Sequence, residues 1–210
     1  MSAAGEDQRY VEGRVIERSE IAKARRDSLE MGLTPISAAT GALVAQIAAA
    51  TDARRIIEIG TGLGVSALWL LSGAPEATLT SIDVEVEHQQ LAREALVAAG
   101  VPAARTRLIA GRASEVLPRI NDGSYDLCLV DADPASVIEY VEHALRITRP
   151  GGTVLVPHAL LGGRVPNPVL RDGLTQGFRD LAEVVNAAED VVSALVPIGD
   201  GLLLITKRGG

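Results

Sequence analysis

The stretch from Arg55 to Ser66 constrains the fold more than any other. Ile56, Ile57 and Ile59 form a β-branched run, Gly60, Gly62 and Gly64 follow in alternation, and Val65, Ala67, Leu68 and Leu71 then recur at helical spacing. A strand therefore feeds a helix through a tight turn. Glycines at such a turn let a ligand approach main-chain N–H groups at a helix N-terminus, where a Cβ would obstruct it.

The spacing is Gly-x-Gly-x-Gly, and Val65 stands where a dinucleotide fingerprint places its third glycine or alanine. Glu58, two residues before the first glycine, would repel a pyrophosphate but attract an ammonium or sulfonium group. These residues point to a cationic nucleoside cofactor, and S-adenosylmethionine fits.

Beyond this turn, strand and helix patterns alternate with short connections. Strands are expected at 55–59, 78–82, 106–109, 126–130 and 153–156, and helices at 65–71, 86–99, 113–120 and 134–147. Such alternation predicts a parallel sheet with helices on both faces. The chain then changes character. A polar helix is expected over 169–188, and Ala194–Ile198 and Leu202–Ile205 flank Gly199-Asp200-Gly201 as an antiparallel hairpin. The expected fold is a doubly wound, seven-stranded mixed sheet of Rossmann-like methyltransferase type, its last strand antiparallel.

The 210 residues read as one domain. Residues 1–12 read as a flexible tail, and 13–50 as N-terminal helices, near 15–29 and 36–50, that cap the site. No apolar run is long enough to span a membrane, and the charged N-terminus lacks an export signal, so a cytoplasmic protein is expected. Cys128, the single cysteine, sits in an apolar strand pattern and reads as a core residue. A formal charge of −7 and only 2% aromatic residues argue against a nucleic-acid partner.

Two acidic strand ends carry further chemistry. Asp83, just over twenty residues past the glycines, can accept hydrogen bonds from ribose hydroxyls. Asp131 closes the fourth strand in Asp131-Ala132-Asp133-Pro134, where Asp133 and Pro134 suit a helix start. Gly111-Arg112-Ala113 lies where an adenine would be flanked. His88 and His143 read as surface residues.

With these motifs in hand the chain resembles the small O-methyltransferases of the catechol and caffeoyl-CoA type, closest to an uncharacterised actinobacterial branch. The resemblance runs from about residue 30 to the C-terminus through Glu58-Ile59-Gly60-Thr61-Gly62 with Ser66, Ser81-Ile82-Asp83, Gly111-Arg112-Ala113, Val130-Asp131-Ala132-Asp133 and Val196–Gly201. It implies that Glu58, Gly60, Thr61, Gly62 and Ser66 surround the methionine end of S-adenosylmethionine, that Asp83 and the Val84 backbone take the ribose, and that Arg112 and Ala113 lie at the adenine. It also places Asp131 and Asp133 near the amino group and acceptor, with a backbone contact from Ile36, and implies a homodimer acting on a small-molecule hydroxyl.

Departures from the family pattern concern the metal. Members with metal chemistry hold Mg²⁺ through the first aspartate of the Asp-Ala-Asp element and an Asp-Asn pair ending the fifth strand, with a lysine three residues after that aspartate. Here the pair is Pro157-His158 and the lysine position is Pro134. A lone Asp131 is a poor Mg²⁺ remnant. His158 with Asp131 and Asp133 could hold a softer ion, yet no metal is expected to be required. An imidazole, with an ordinary pKa of about 6.5, suits removal of a hydroxyl proton, so His158 is the candidate base. Two alternatives stay open: an inactive protein that binds S-adenosylmethionine or S-adenosylhomocysteine, and an NAD-dependent oxidoreductase.

Overall fold

The computed structural model describes residues 3–209. In chain order the elements are α1 (Ala3–Glu12), α2 (Ser19–Glu30), α3 (Ala38–Ala50), β1 (Arg55–Ile59), α4 (Val65–Gly73), β2 (Thr78–Asp83), α5 (Val86–Ala98), β3 (Thr106–Ala110), α6 (Ala113–Val116), β4 (Tyr125–Val130), α7 (Val137–Ile147), β5 (Thr148–Pro157), α8 (Gly173–Ala187), β6 (Val191–Val196) and β7 (Leu202–Lys207). They build one sheet of order β3-β2-β1-β4-β5-β7-β6. Neighbours from β3 to β5 are parallel, whereas β7 runs antiparallel to both β5 and β6. This is the expected doubly wound sheet with its reversed strand.

Period-two alternation divides the strand residues between two cores. Ile56, Leu127, Leu129 and Leu155 pack under α2, α3 and α4, while Ile57, Ile59, Cys128, Val130 and Val154 pack under α7 and α8. Cys128 is fully buried, as expected, and burial pushes its thiol pKa up. Helix α7 fits its face through Val137, Tyr140, Val141, Ala144 and Ile147, an i, i+3, i+4, i+7 stripe. Helix α8 presents Thr175, Phe178, Leu181 and Val185 in the same way, so the segment expected as a polar helix is amphipathic. On the other face α3 rides close on α4, because a Cβ on Gly41 would lie 2.2 Å from Trp69 Nε1.

Several boundaries move. The expected helix over 134–147 is a 3-10 turn at Pro134–Ser136 followed by α7, and α8 begins only at Gly173, where Asp172 accepts the Thr175 N–H. The larger correction is at the N-terminus, where residues expected as a tail form α1. Its polar side chains have partners: Gln8 Nε2 donates to the Gly199 carbonyl at 2.7 Å, and Glu12 Oε2 accepts the Ala39 N–H at 2.9 Å, capping α3. Among the described residues no helix is long and apolar enough to cross a membrane.

Asp126, only 7% exposed, ties three strands together at the end of the sheet away from the glycine turn. Its Oδ2 accepts the Arg54 and Arg55 N–H groups at 2.9 and 2.7 Å, and its Oδ1 accepts Arg149 Nε at 2.6 Å. Burial disfavours the charged form, but the hydrogen bonds and the Arg149 charge outweigh it and hold the carboxyl below its ordinary value. A carboxyl depressed in this way stabilises the fold above its unfolded pKa and loses that contribution as pH falls through the folded one. Asp126→Asn should therefore lower unfolding stability by about 1–3 kcal/mol at pH 7. In urea titrations the deficit should narrow below about pH 4, where the wild-type carboxyl also protonates.

Candidate active site

Strands β1 and β4 lie side by side at the centre of the sheet, and the chain leaves them in opposite directions, opening a crevice at their C-terminal ends. The two strand ends nearly touch. A Cβ on Gly60 would sit 1.9 Å from the Asp131 carbonyl oxygen, and the Gly60 φ is +96°, so only glycine fits. Above this contact lies a cavity of about 570 Å³ whose walls include the glycine loop, the β2 and β4 ends, the α2–α3 connection and the turn after β5.

Asp83 shapes the glycine loop. Its Oδ2 accepts the N–H groups of Thr61 and Gly62 at 2.9 and 3.0 Å, and its Oδ1 accepts the Glu85 N–H at 2.9 Å. Two donors that would greet a pyrophosphate in a dinucleotide site are thus already satisfied by a carboxylate. Asp83 faces the cavity with lone pairs to spare for hydroxyl donors. His88, expected on the surface, instead lines the cavity with its Nδ1 3.8 Å from Asp83 Oδ1.

Glu58 is not among the residues that line the cavity. It alternates onto the α4 face of β1 and is fully buried behind the loop, with no surface in the cavity. Its oxygens accept Ser66 Oγ at 2.8 Å and Ser81 Oγ at 2.7 Å, and Ser81 meets Thr61 Oγ1 at 2.5 Å. Ser66 and Thr61 do line the cavity, so Glu58 is linked to its wall through these hydroxyls. Burial raises its pKa to about 8 against the two serine hydrogen bonds, with the Asp131 and Asp83 charges adding to the rise.

The remaining expected contacts divide. Gly60, Thr61, Gly62, Ser66, Asp83, Val84, Ala113, Asp131, Asp133, His158 and Ile36 all line the cavity. The Ile36 carbonyl accepts a hydrogen bond from Arg25, itself paired with Glu17. Arg112 is exposed and lies outside the lining, where the α6 start turns its side chain to solvent. Asp133 caps the 3-10 turn through the Ala135 N–H. Two aromatic side chains reach the cavity from the helices: Tyr140 of α7 and Phe178 of α8 join Val137, Pro157 and Leu161 in an apolar wall. The helical stripe of α8 is the signal that could have placed Phe178.

Opposite the glycine loop stands His158. Its Nε2 is 3.8 Å from Asp131 Oδ1, is buried, and has no hydrogen-bond partner among the described residues. Its Nδ1 faces Asp200 Oδ2 at 3.6 Å. Burial pushes the Asp131 carboxyl pKa up, with the His158 charge pulling the other way. The donor set does not fit Mg²⁺, because Pro157 brings no ligand atom and Asp131 is the one carboxylate at the family's metal position. The two carboxylates beside His158 face different ring nitrogens, and among the described residues no group of three or more His, Cys, Asp or Glu could hold a metal ion.

A parallel sheet with one reversed strand, a glycine loop at the switch point and an acid closing β2 defines the methyltransferase form of the doubly wound fold. The family model described as O-methyltransferase matches residues 14–208, and the chain belongs to that family. A relative from Mycobacterium sp. (strain JLS), an O-methyltransferase by name, is 43% identical over 199 residues, which cover 94% of this chain and 90% of its own. A protein of known structure from Corynebacterium glutamicum matches at TM-score 0.91 and 31% identity, covering 100% of this chain and 99% of the other. The O-methyltransferase TomG from Streptomyces achromogenes, involved in tomaymycin synthesis and solved in complex with S-adenosylmethionine, matches at TM-score 0.87 and 31% identity over 100% of both chains.

An acid whose pKa rises on folding destabilises the native state progressively as pH climbs from its unfolded value to its folded one. For Glu58 that window runs from 4.5 to about 8. Glu58→Gln should therefore gain stability over the wild type as pH rises through this window and hold a constant advantage above it. Thermal unfolding across pH 5–9 checks this, and a pH-independent difference would contradict a buried, largely protonated Glu58.

Proposed function

We propose that this protein transfers the methyl group of S-adenosylmethionine to a hydroxyl of a small, largely apolar molecule, with His158 removing the hydroxyl proton. The observation that carries the reading is the buried, partnerless Nε2 of His158 beside Asp131. A buried ring nitrogen without a partner is costly, and a ligand hydroxyl would relieve that cost.

The cavity has two chemically distinct sides. Towards β1, β2 and β3 lie the glycine loop, Asp83, Gly111 and Ala113, polar at the sheet edge and open to a nucleoside. Glu58, fully buried, and Asp131 stand behind this side as carboxyls whose ionised form a nearby cation would stabilise, which favours an ammonium or sulfonium over a phosphate. Towards β4 and β5, Val137, Tyr140, Pro157, Leu161 and Phe178 make an apolar wall for the acceptor. Among the described residues no basic side chain lines the cavity apart from the two imidazoles, so the acceptor needs no anionic group.

When bound, S-adenosylmethionine supplies a methyl group on a sulfonium, so the acceptor oxygen bonds to that carbon while the carbon–sulfur bond breaks and its electron pair returns to sulfur. The chain's own work is alignment and proton removal. The glycine loop and Asp83 fix one reactant and the apolar wall the other, converting an encounter into an oriented pair. The hydroxyl proton passes to His158 Nε2.

Methyl transfer to a panel of phenols, catechols and hydroxy acids, with EDTA-treated protein, tests the reading. His158→Ala should lower turnover on the order of a hundredfold, while calorimetry shows unchanged S-adenosylmethionine affinity. Retention of the full rate would remove His158 from the chemistry. Tight S-adenosylhomocysteine binding with no transfer to any acceptor would favour an inert binder.

A further inference from the structure

The turn after β5 is held in an unusual conformation by a part of the chain some forty residues away. His158 has a φ of +56°, a left-handed value that costs a non-glycine residue on the order of 1 kcal/mol or more. Such a conformation persists only where the surroundings impose it. Here the hairpin between β6 and β7 does so: the Ala159 N–H donates to the Gly201 carbonyl at 3.1 Å and the Leu160 N–H to the Asp200 carbonyl at 2.9 Å. The Asp200 carboxylate adds a third clamp by accepting the Gly162 N–H at 2.7 and 2.9 Å.

Asp200 is itself fixed from behind. A Cβ on Gly199 would lie 2.4 Å from Thr40 Oγ1 and 2.8 Å from Ser37 Oγ, and one on Gly201 would lie 2.5 Å from Leu160. The hairpin tip is thus wedged between the α3 start and the β5 turn, and Gln8 of α1 holds the Gly199 carbonyl. The result is a carboxylate whose Oδ2 stands 3.6 Å from His158 Nδ1, while Nε2 on the other side of the ring is buried, unpartnered and turned to Asp131.

We propose that Asp200 is a positioning residue for His158: it holds the proton on Nδ1, orients the ring, and so presents Nε2 as the bare lone pair that receives the acceptor's proton. This rests on the hydroxyl-methylation reading above. In a neutral imidazole one nitrogen carries hydrogen and the other accepts, and the partner of the first decides which is which. Asp200 is the nearer of the two carboxylates that face the ring, 3.6 Å from Nδ1 against 3.8 Å between Asp131 and Nε2, and it can only accept, so the proton belongs on Nδ1. After transfer the ring carries protons on both nitrogens and sits as a cation between Asp200 and Asp131, each carboxylate facing one N–H. The 3.6 Å separation is ion-pair range, and hydrogen bonds of this type often run long in ligand-free sites and shorten with substrate in place. The same logic of an acid orienting a histidine base operates in serine proteases, on an unrelated fold.

Asp200→Asn in the full chain separates this role from simple bracing. The amide oxygen can still accept the Gly162 N–H, which turns the NH₂ toward Nδ1 and favours a proton on Nε2. Nitrogen NMR of the histidine ring, on protein loaded with S-adenosylhomocysteine, reads the tautomer without any acceptor. The wild type should carry its proton on Nδ1 and the variant on Nε2. With an acceptor found by the panel, kcat should fall at least about tenfold with the KM for S-adenosylmethionine within twofold. Asp200→Glu, which keeps the charge, should retain the wild-type tautomer, and it serves as the second reading if the asparagine variant does not fold. An Nε2-protonated wild type, or an unchanged tautomer in Asp200→Asn, would overturn the proposal. A wild type with the expected tautomer that methylates nothing would sink the reaction assigned above while leaving the role of Asp200 supported.

Discussion

The contact between Gly60 and the Asp131 backbone is the constraint on which the rest of the site depends. Parallel strands β1 and β4 are hydrogen-bonded neighbours, and the Asp131 N–H continues the ladder to the Ile59 carbonyl at 2.8 Å. With any side chain at position 60 the two strand ends could not close to this distance. Because they do, the loop after β1 lies flat against the loop after β4, and the cofactor side and acceptor side of one cavity share a wall.

A second constraint is energetic. Burying Glu58 behind the glycine loop raises its pKa to about 8, which is a cost to the folded state at neutral pH. Ser66 and Ser81 satisfy its oxygens, and Ser81 passes the network on to Thr61. A fully apolar residue here would pack with less cost. Asp83 plays the complementary part by occupying loop donors that would otherwise favour phosphate.

The acceptor side departs from the metal-binding pattern of the wider family. Where oxygen ligands would stand, the chain has Pro157 and His158, and the strained turn that carries His158 is clamped by the β6–β7 hairpin and, behind it, by α1 and α3. His158 is thereby held as an imidazole flanked by two carboxylates, Asp131 and Asp200. Helix α1 belongs to this assembly, since it braces the hairpin that holds the turn.

Much of this was legible in the order of residues. The glycine turn, the acids closing β1, β2 and β4, and the alternation of strands and helices are local patterns set by side-chain period and turn chemistry, so the sheet and the cavity floor followed from them. The replacement of the metal ligands at 157 and 158 was also readable directly. Other features depend on what meets across the fold. Glu58 could be identified as an acid near a cofactor, but its burial behind the loop depends on which face of β1 it occupies. Residues 3–12 are too polar to announce a helix, which forms because Gln8 and Glu12 find the hairpin and the α3 end. Phe178 and Tyr140 reach the cavity only because α7 and α8 pack on the same sheet face. The sequence by itself determined the doubly wound sheet and the glycine turn between β1 and α4, because these are written in short-range pattern. Only the tertiary structure decided that Asp200 stands behind His158, because that pairing joins the ends of β5 and the β6–β7 hairpin, which come together only once β7 has inserted antiparallel beside β5.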